Sequence, residues 1–470
     1  MCLVMSKQEK ILPYILPVIF FLLPWQTLYI FSQYTIAGEV FQYGVVSLYA
    51  VELLVVFAYL LYGRLQITKS LQKIVSLTFL LMGFVLASAL WAINFDLALG
   101  QFAHILVALM LFLLLLDKRT NLQHVAMGLI AGLIIPIGLS VWQVVVGASG
   151  ASTLFGLAFR DAQTLGDAVL TLENGTRILR AYGSFSHPNI FGGYLVIGLL
   201  SLLFVRLGLS PFSKGEWEGV AGRVQKILWL TTFVFLFIGL ILTYSQSAWI
   251  AIIIAFVCGI GTLFFWRQKI ANPLWQSRIR PCRVSIKEVW GSCLLARFKV
   301  IALIFSVLII LGSIFGILTL NSIGVSQTSI TERAAQYQEW PQVVSDFWIF
   351  GSGLGNYTYA VEAFDPSKEW WQYQPVHNAP MLIVGEIGVV GLILVIGWLA
   401  LIDKLNVNRI LADSLSANEE QNAVCRFGSI IALMMGCALL VIAGLDHYLW
   451  SQWSGLALVA YVVAMTARVE

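Results

Sequence analysis

The chain has 470 residues, of which 59 % are hydrophobic and 11 % are charged, and its formal net charge is +4. A soluble globular domain carries roughly a quarter charged residues, so this composition excludes a soluble protein and indicates an integral membrane protein. So small a net charge gives no reason to expect a nucleic-acid partner. The six cysteines form no Cys-x-x-Cys pair, and we expect neither a metal site nor a cofactor.

Apolar stretches recur along the whole chain, and a membrane-spanning helix requires about 20 such residues. The predicted spans are 11–31, 42–62, 74–93, 98–116, 124–147, 189–208, 227–244, 246–266, 300–320, 379–402, 427–445 and 452–467. The predicted fold is therefore an all-α, polytopic membrane protein with about twelve transmembrane helices. The apolar part of the first stretch exceeds the roughly 7–15 residues of a signal sequence, so we predict a retained span.

The positions of Lys and Arg predict the orientation of these spans, because both residues concentrate in cytoplasmic segments. With the N-terminus inside, 23 of the 28 Lys and Arg residues fall in inner segments. Both termini are then cytoplasmic, and the expected location is the cytoplasmic (inner) membrane.

Two long outer loops divide the chain into groups of helices. The predicted parts are helices one to five at 1–147, an outer loop at 148–188, helices six to nine at 189–320 with a basic cytoplasmic loop at 267–299, a large outer loop at 321–378, and helices ten to twelve at 379–470. The large loop precedes the tenth span. Apolar residues near helical spacing predict that this loop is partly helical.

Five basic residues lie in the outer loops, against the topological bias: Arg160, Arg177, Arg180, Arg333 and Lys368. Four of them are arginines, whose planar guanidinium suits bidentate binding of phosphate or carboxylate. A ligand therefore explains these arginines, Arg180 and Arg333 above all. The alternative interpretation is pairing with acidic residues of the same loops, namely Asp161, Asp167, Glu332 and Glu339.

Candidate functional residues meet at the predicted outer surface. Histidine is the side chain best able to accept a proton near neutral pH, and His377-Asn378 lies where the large outer loop meets the tenth span. His187 begins the sixth span, either as a second functional group or as a helix-start hydrogen-bonding residue. Gln246 lies in the short turn after the seventh span. Asp446 follows the eleventh, where an acid is costly unless partnered or functional.

Three motifs resemble those of the O-antigen ligase family, which groups lipopolysaccharide O-antigen ligases with related polysaccharide polymerases and protein O-oligosaccharyltransferases. His377-Asn378, nine further residues and Gly388-Val-Val-Gly391 resemble the family's H[NSQ]-x9-GxxG signature. The stretch RAYGSFSHPNIFGGYL, which begins at Arg180, resembles its Arg-x-x-Gly-x-Phe-x-x-Pro-Asn element. The segment from Arg333 to Asn356 is similar to the rest of the family's shared domain.

The resemblance implies an inverting, metal-independent glycosyltransferase that acts at the outer face of the membrane. It implies transfer from an undecaprenyl diphosphate-linked glycan donor to a hydroxyl acceptor, on a lipid A-core or another glycan, among membrane lipids. Under this interpretation His377 is the general base, and Asp446 is a catalytic partner that orients His377 or the acceptor. The implied diphosphate- or glycan-binding residues are Arg180, Arg333, Asn378, His187, Gln246 and Arg177.

One departure from the family pattern concerns the turn after the seventh span. Members commonly carry Ser-Arg-Gly there, whereas this chain has Ser245-Gln246-Ser247. Either an arginine from an outer loop takes that place, or the donor head group is held differently.

Several functions remain open at this point. The His-Asn signature favours a ligase of lipopolysaccharide and polysaccharide biosynthesis in the cell envelope, and a Wzy-type polymerase is the alternative within the family. A transporter or flippase predicts mid-span ionisable residues in matching halves. Glu52 and Glu386 lie within spans but form no such repeat. A catalytically inactive scaffold of envelope assembly is the last alternative.

Overall fold

The computed structural model of the chain describes residues 7–164, 166–172, 174–208, 220–271, 307, 311–312, 326–411 and 419–468. Most of the predicted ninth span at 300–320 and most of the basic loop at 267–299 lie outside the described residues.

The helices and strands follow one another along the described chain as an N-terminal group and a C-terminal group. The first group is α1 (Lys7–Leu22), β1 (Leu28–Ile36), β2 (Glu39–Tyr49), α2 (Ala50–Tyr62), α3 (Gln72–Ala87), α4 (Phe95–Leu116), α5 (Leu122–Val146), β3 (Ala148–Ser149), β4 (Arg160–Asp161), β5 (Val169–Thr171), β6 (Arg177–Leu179), α6 (Pro188–Gly208), α7 (Val220–Thr243) and α8 (Gln246–Ala271). The second group is α9 (Ser326–Val343), α10 (Tyr357–Phe364), α11 (Ala379–Leu411), α12 (Glu419–Leu445), α13 (Tyr448–Ser451) and α14 (Trp453–Arg468). Short 3-10 turns cover Lys69–Leu71, Ser88–Trp91 and Trp370–Gln372.

Eight of the described helices are long and apolar enough to cross a membrane: α3 to α8, α11 and α12. The shorter helices α1, α2 and α14 are apolar as well. Each of these helices falls on a predicted span, so the prediction of a polytopic, mostly helical membrane protein is confirmed. The total of about twelve stays a prediction, since most of the ninth span lies outside the described residues.

A β-hairpin, which the all-α prediction missed, replaces the end of the first predicted span and the start of the second. Strands β1 and β2 pair antiparallel across a two-residue turn, Ala37-Gly38, in which both residues have positive φ. Positive φ at both central residues is the geometry of a type I′ hairpin turn. The strands are rich in Tyr, Val, Ile and Phe, which favour strands, but a hydropathy window does not separate an apolar strand from a helix.

The helix α6 is the centre of the bundle, and its whole spanning stretch is buried. It packs against α5, α7, α8 and α12. Gly192 and Gly193 near its start permit this close packing. A Cβ atom at Gly192 would lie 2.9 Å from the Cβ of Ser245, and one at Gly193 would collide with the hydroxyl of Tyr448. The glycine pair thus brings three segments together, namely the start of α6, the turn at Ser245 and the segment of Tyr448.

Hydrogen bonds connect loops that the predicted topology places on the same side of the membrane. Arg119 donates to the carbonyl of Tyr62 at 3.1 Å, and Arg468 donates to the carbonyl of Thr120 at 2.7 Å. These segments were all predicted to be cytoplasmic. At the other end of the bundle, Ser184 Oγ donates to the carbonyl of Pro24 at 2.6 Å. The side of the membrane that each end faces stays a prediction.

A break in α11 at Gly388 receives the glycine-rich loop 351–355. Gly388 has φ 73° and ψ 176°, which is not helical. The loop is bonded to the interrupted helix, because Gly353 N–H donates to the carbonyl of Glu386 and Val389 N–H donates to the carbonyl of Trp348, both at 2.9 Å. Gly388, the first glycine of the GxxG signature, and the upstream glycine-rich loop therefore form one structural junction in the helix that follows His377.

The substitution Gly388→Ala is expected to destabilise the protein by about 1–3 kcal/mol, because L-residues rarely adopt its backbone conformation. The new methyl group would also collide with the carbonyl of Ile349. The measurement is the thermal unfolding midpoint of the purified protein in detergent.

Gly397→Ala, in the same helix, is the matched control. A Cβ atom there meets nothing within 4 Å, and alanine in a helix interior is favoured over glycine by up to about 1 kcal/mol. Equal midpoints for the two variants would contradict the junction at Gly388.

Candidate active site

The helix α9 is docked across the start of α11 by one face. Tyr337 Oη donates to the carbonyl of His377 at 3.0 Å, and Trp340 Nε1 donates to the carbonyl of Met381 at 3.1 Å. Gln336 lies one turn before Trp340, at the i, i+4 spacing that puts side chains on one face of a helix. The predicted helix in the large outer loop is thus present, and it holds the segment around His377.

Gln336 fixes the tautomer of His377. The Oε1 atom of Gln336 accepts from the backbone N–H of His377 at 3.2 Å and lies 2.9 Å from its Nδ1. An oxygen that already accepts one N–H is an acceptor for the second, so Nδ1 carries the ring proton and Nε2 keeps its lone pair. The imidazole is therefore oriented with an unprotonated nitrogen, as a general base requires.

Burial and charge keep the His377 imidazole neutral. Burial lowers its pKa below the ordinary value, and the positive charge of Arg333 lowers it further, while Asp446 opposes both. No hydrogen bond joins Asp446 to the ring of His377 among the described residues. Asp446 therefore acts on His377 through its charge, and Gln336 provides the orientation that the sequence suggested for Asp446.

Asn189 separates an arginine from a carboxylate in the buried part of the site. Arg180 Nη2 donates to Asn189 Oδ1 at 2.8 Å, and Asn189 Nδ2 donates to Asp446 Oδ2 at 2.8 Å. Neither charge neutralises the other by direct contact. Burial lowers the pKa of the Arg180 guanidinium to about 10, which leaves it positively charged at neutral pH.

Asp446 remains ionised despite its burial. Burial alone raises the pKa of its carboxyl group, but the neighbouring His447, His377 and His187 and the hydrogen bond from Asn189 lower it by more. The pKa of Asp446 therefore lies below its ordinary value. The carboxylate supplies one negative charge to a site that holds the buried His447 and the half-buried His187 and His377.

Arg180 lies against the turn in which the family pattern has an arginine. Its Nε donates to the carbonyl of Thr243 at 3.0 Å, and the next residue, Ala181, donates its N–H to the carbonyl of Leu242 at 3.1 Å. Gln246 begins α8 with an exposed side chain. The turn itself carries no arginine in this chain. The loop between α5 and α6 thus brings the guanidinium of Arg180 to that turn.

Arg333 is half-buried one helical turn before Gln336. It forms no ion pair among the described residues, so the predicted alternatives Glu332 and Glu339 are not its partners. Its charge lowers the pKa values of Arg180 and His377. Arg333 is therefore within electrostatic range of both Arg180 and His377, and neither guanidinium has a carboxylate partner among the described residues.

His187 caps the central helix. Its Nδ1 accepts from the backbone N–H of Asn189 at 3.1 Å, directly before Pro188 at the first helical position. A side-chain acceptor for this N–H is what an N-cap provides, and proline is favoured at the next position. Burial and the charge of Arg180 lower the pKa of His187 to about 3. This contact agrees with the helix-start interpretation of His187.

Two other residues with predicted ligand roles are engaged elsewhere. Asn378 caps α11, because its Oδ1 accepts from the N–H of Met381 at 2.9 Å, and its Nδ2 donates to the carbonyl of Gly444 at 3.0 Å. Arg177 donates to the carbonyl of Thr164 at 3.1 Å and has no described contact with the cluster around Asp446.

Two further outer-loop cations are ion-paired. Arg160 pairs with Asp167 at 2.8 Å, and Lys368 pairs with Glu339. For these two residues the structure agrees with pairing inside the loops.

His447 is a functional candidate to which the sequence analysis assigned no role. Its ring lies edge-on to that of His377, with centroids 5.3 Å apart. Burial lowers its pKa to about 4. Gln336 was also missed, although its i, i+3 spacing from Arg333 placed both on one helix face. No group of three or more His, Cys, Asp or Glu residues in the described part of the chain is arranged to hold a metal ion.

Residues 231–396 match the family model described as O-antigen ligase. The match extends from α7 to α11 and includes Arg333 and His377, whereas Arg180 and Asp446 lie outside it. A comparison with curated proteins gives no match.

Acid is expected to destabilise the protein through its buried histidines. Folded His187 has a pKa of about 3, so below the ordinary histidine value the unfolded chain binds more protons than the folded chain. Stability is then present above that value and falls with the pH. The thermal unfolding midpoint in detergent should decrease from about pH 7.5 to about pH 5.

His187→Asn tests the contribution of this one residue. Asparagine is a favoured N-cap and takes up no proton, so the variant should lose less stability on acidification than the wild-type protein. Identical losses in both proteins would show that His187 does not contribute.

Proposed function

We propose, from the premise that this chain carries an O-antigen ligase domain, that it transfers a glycan from an undecaprenyl diphosphate donor to a hydroxyl acceptor. The family match supports glycosyl transfer of the ligase or polymerase type in a membrane. The residues around His377 support the finer assignment of donor and mechanism.

The observation that carries the proposal is the pairing of a neutral, oriented imidazole with unneutralised guanidiniums. His377 keeps a free Nε2 because Gln336 binds its Nδ1. Arg180 and Arg333 have no carboxylate partner among the described residues. A base beside a doubly cationic region is suited to a reaction that deprotonates a hydroxyl and releases an anion.

The proposed step is a single displacement. The acceptor O–H gives its proton to His377 Nε2, and its oxygen bonds to the anomeric carbon of the donor sugar. The bond between that carbon and the diphosphate oxygen breaks, and the electron pair leaves with the diphosphate. Attack opposite the leaving group inverts the anomeric centre. The protein supplies the base and the charge stabilisation, so the step calls on no metal.

Arg180 and Arg333 are the proposed diphosphate ligands. Negative charge grows on the diphosphate as the bond breaks, and charge-assisted hydrogen bonds from guanidinium are strongest where water is excluded. Arg180 adjoins the turn at Thr243, which supports its substitution for the arginine that Gln246 replaces. Asn378, His187, Gln246 and Arg177 are then supporting or peripheral residues, not direct diphosphate ligands.

The His-Asn signature favours a ligase over a Wzy-type polymerase. The site is proposed to lie on the outer face of the inner membrane. A ligase acceptor is the lipid A-core, whereas a polymerase acceptor is another glycan. A flippase is disfavoured because it has no use for a general base beside a diphosphate-binding region.

His377→Ala is expected to abolish glycan transfer in a complemented deletion strain, because the acceptor hydroxyl loses its base. Loss of one general base typically lowers a rate by about 10²–10⁴-fold. The measurement is surface glycan together with the lipid-linked intermediates. Accumulated undecaprenyl-linked polymer identifies a ligase, and accumulated single repeat units identify a polymerase.

His124→Ala is the control. His124 lies at the start of α5, at the opposite end of the bundle from His377, where Arg119 donates to the carbonyl of Tyr62. It should retain wild-type surface glycan. Wild-type glycan in the His377→Ala strain would refute the mechanism.

The pH dependence of transfer should report the His377 pKa. Since that pKa lies below its ordinary value, activity should persist at pH values below the ordinary histidine pKa and fall only in more acidic buffer. Arg333→Gln removes a charge that lowers this pKa, so the acidic limb of the profile should move to higher pH. Asp446→Asn removes a charge that raises it, so the limb should move to lower pH.

The measurement is initial transfer rate against pH, with purified protein added to membranes of the deletion strain, which contain both donor and acceptor. Shifts of the two variants in the same direction would contradict the assignment of His377 as the titrating base.

A further inference from the structure

A cavity lined by both polar and apolar side chains lies beside the active site. Its volume is about 330 Å³, and the β1–β2 hairpin, the start of α4, the two outer loops and the residues after α13 enclose it. Its polar lining includes Tyr43, Ser47, Gln101, His104, Thr358 and Glu386. This volume is at the lower end of the range of roughly 300–1,000 Å³ that takes small ligands.

The cavity meets the active site at His447. Two of its lining residues contact that imidazole: the Tyr43 hydroxyl lies 3.4 Å from Nε2, and Ser451 Oγ lies 2.7 Å from Nδ1. The other side of His447 packs against the ring of His377. A molecule in the cavity is therefore separated from the proposed base by a lining side chain, Tyr43 or Ser451, and by His447.

The charges of the cavity differ from those of the diphosphate region. His104 Nδ1 lies 2.6 Å from Glu52 Oε1, and Arg160 is paired with Asp167. The cation in the cavity wall is thus neutralised by a protein carboxylate. An anionic ligand would gain little there and prefers the two guanidiniums at the base, so the cavity suits an uncharged ligand.

Two lining groups are available to bond hydroxyl groups. The Thr358 hydroxyl is buried and has no partner among the described residues. Glu386 accepts from Trp450 Nε1 at 2.7 Å and has no cationic partner in the part of the chain described here. An unpaired acid within a span is costly unless it serves a ligand. Carboxylate and hydroxyl groups are hydrogen-bond partners for sugar hydroxyls.

We propose that this cavity binds the uncharged, hydroxyl-bearing end of the acceptor saccharide. The inference rests on the proposed glycosyl transfer and divides the substrates by charge. The anionic diphosphate of the donor lies at Arg180 and Arg333, and the neutral acceptor sugar lies between the hairpin and α4. The reacting hydroxyl then approaches His377 past His447.

The test is to fill the cavity without altering the diphosphate region. Ser47→Trp places an indole in the cavity from strand β2. We expect surface glycan in the complemented deletion strain to fall by about tenfold or more, as for a loss of about 1.4 kcal/mol in acceptor binding. The affinity of the purified variant for undecaprenyl diphosphate should equal that of the wild-type protein.

Val40→Trp is the matched control on the same strand, because Val40 is 47 % exposed and lies outside the cavity. It should retain both surface glycan and undecaprenyl diphosphate binding. Wild-type glycan with Ser47→Trp overturns the inference, and so does equal loss of glycan in both variants or loss of undecaprenyl diphosphate binding by Ser47→Trp alone.

A failure of the proposed function would give results that differ from a failure of the cavity inference. In that case the wild-type protein does not bind undecaprenyl diphosphate, or His377→Ala retains its glycan. Neither outcome depends on Ser47.

Discussion

The buried carboxamide of Asn189 is the contact on which the arrangement of the site depends. It accepts from Arg180 and donates to Asp446, both at 2.8 Å. A direct ion pair of these two residues would cancel the charge that the proposed diphosphate ligand requires, because opposite charges in a low-dielectric interior bind each other strongly. The amide satisfies both groups and keeps them apart. Its own backbone N–H is capped by His187, so the spacer is fixed to the start of the central helix.

The site is assembled from segments that are distant in the chain, and small residues permit their approach. Gly193 faces Tyr448, next to His447, and Gly388 faces the carbonyl of Ile349. The junction at Gly388 connects the loop after α9 to α11, and α9 in turn carries Gln336, which holds His377. The glycine contact at one end of this series of contacts therefore supports the orientation of His377 at the other end. The same architecture leaves the cavity beside the hairpin close to the region of Arg180 and Arg333, which is consistent with the proposal of two substrates of different charge.

Hydropathy predicted the membrane helices well, because an apolar stretch of about 20 residues has few alternatives to a span. It failed at the β1–β2 hairpin, where strands of aromatic and β-branched residues have the same hydropathy as a helix. Among the candidate residues, His377 and Arg333 were recognisable from motif and topology. Asn378 was assigned to ligand binding, but its side chain caps α11 and bonds to Gly444. Gln336 was missed because a single glutamine on a polar helix carries no signal until its partner is known.

The sequence by itself determined that the chain lies in a membrane, where its apolar stretches lie, and that a histidine motif ends the large loop before the tenth predicted span. These properties follow from composition and spacing, which are local. Only the tertiary structure decided which arginines are neutralised: Arg160 meets Asp167, whereas Arg180 meets the amide of Asn189. It also decided that Gln336 orients His377 and that the ring of His447 packs against the ring of His377. Charge pairing and tautomer depend on atoms a few ångströms apart that belong to distant segments, and no local pattern encodes such distances.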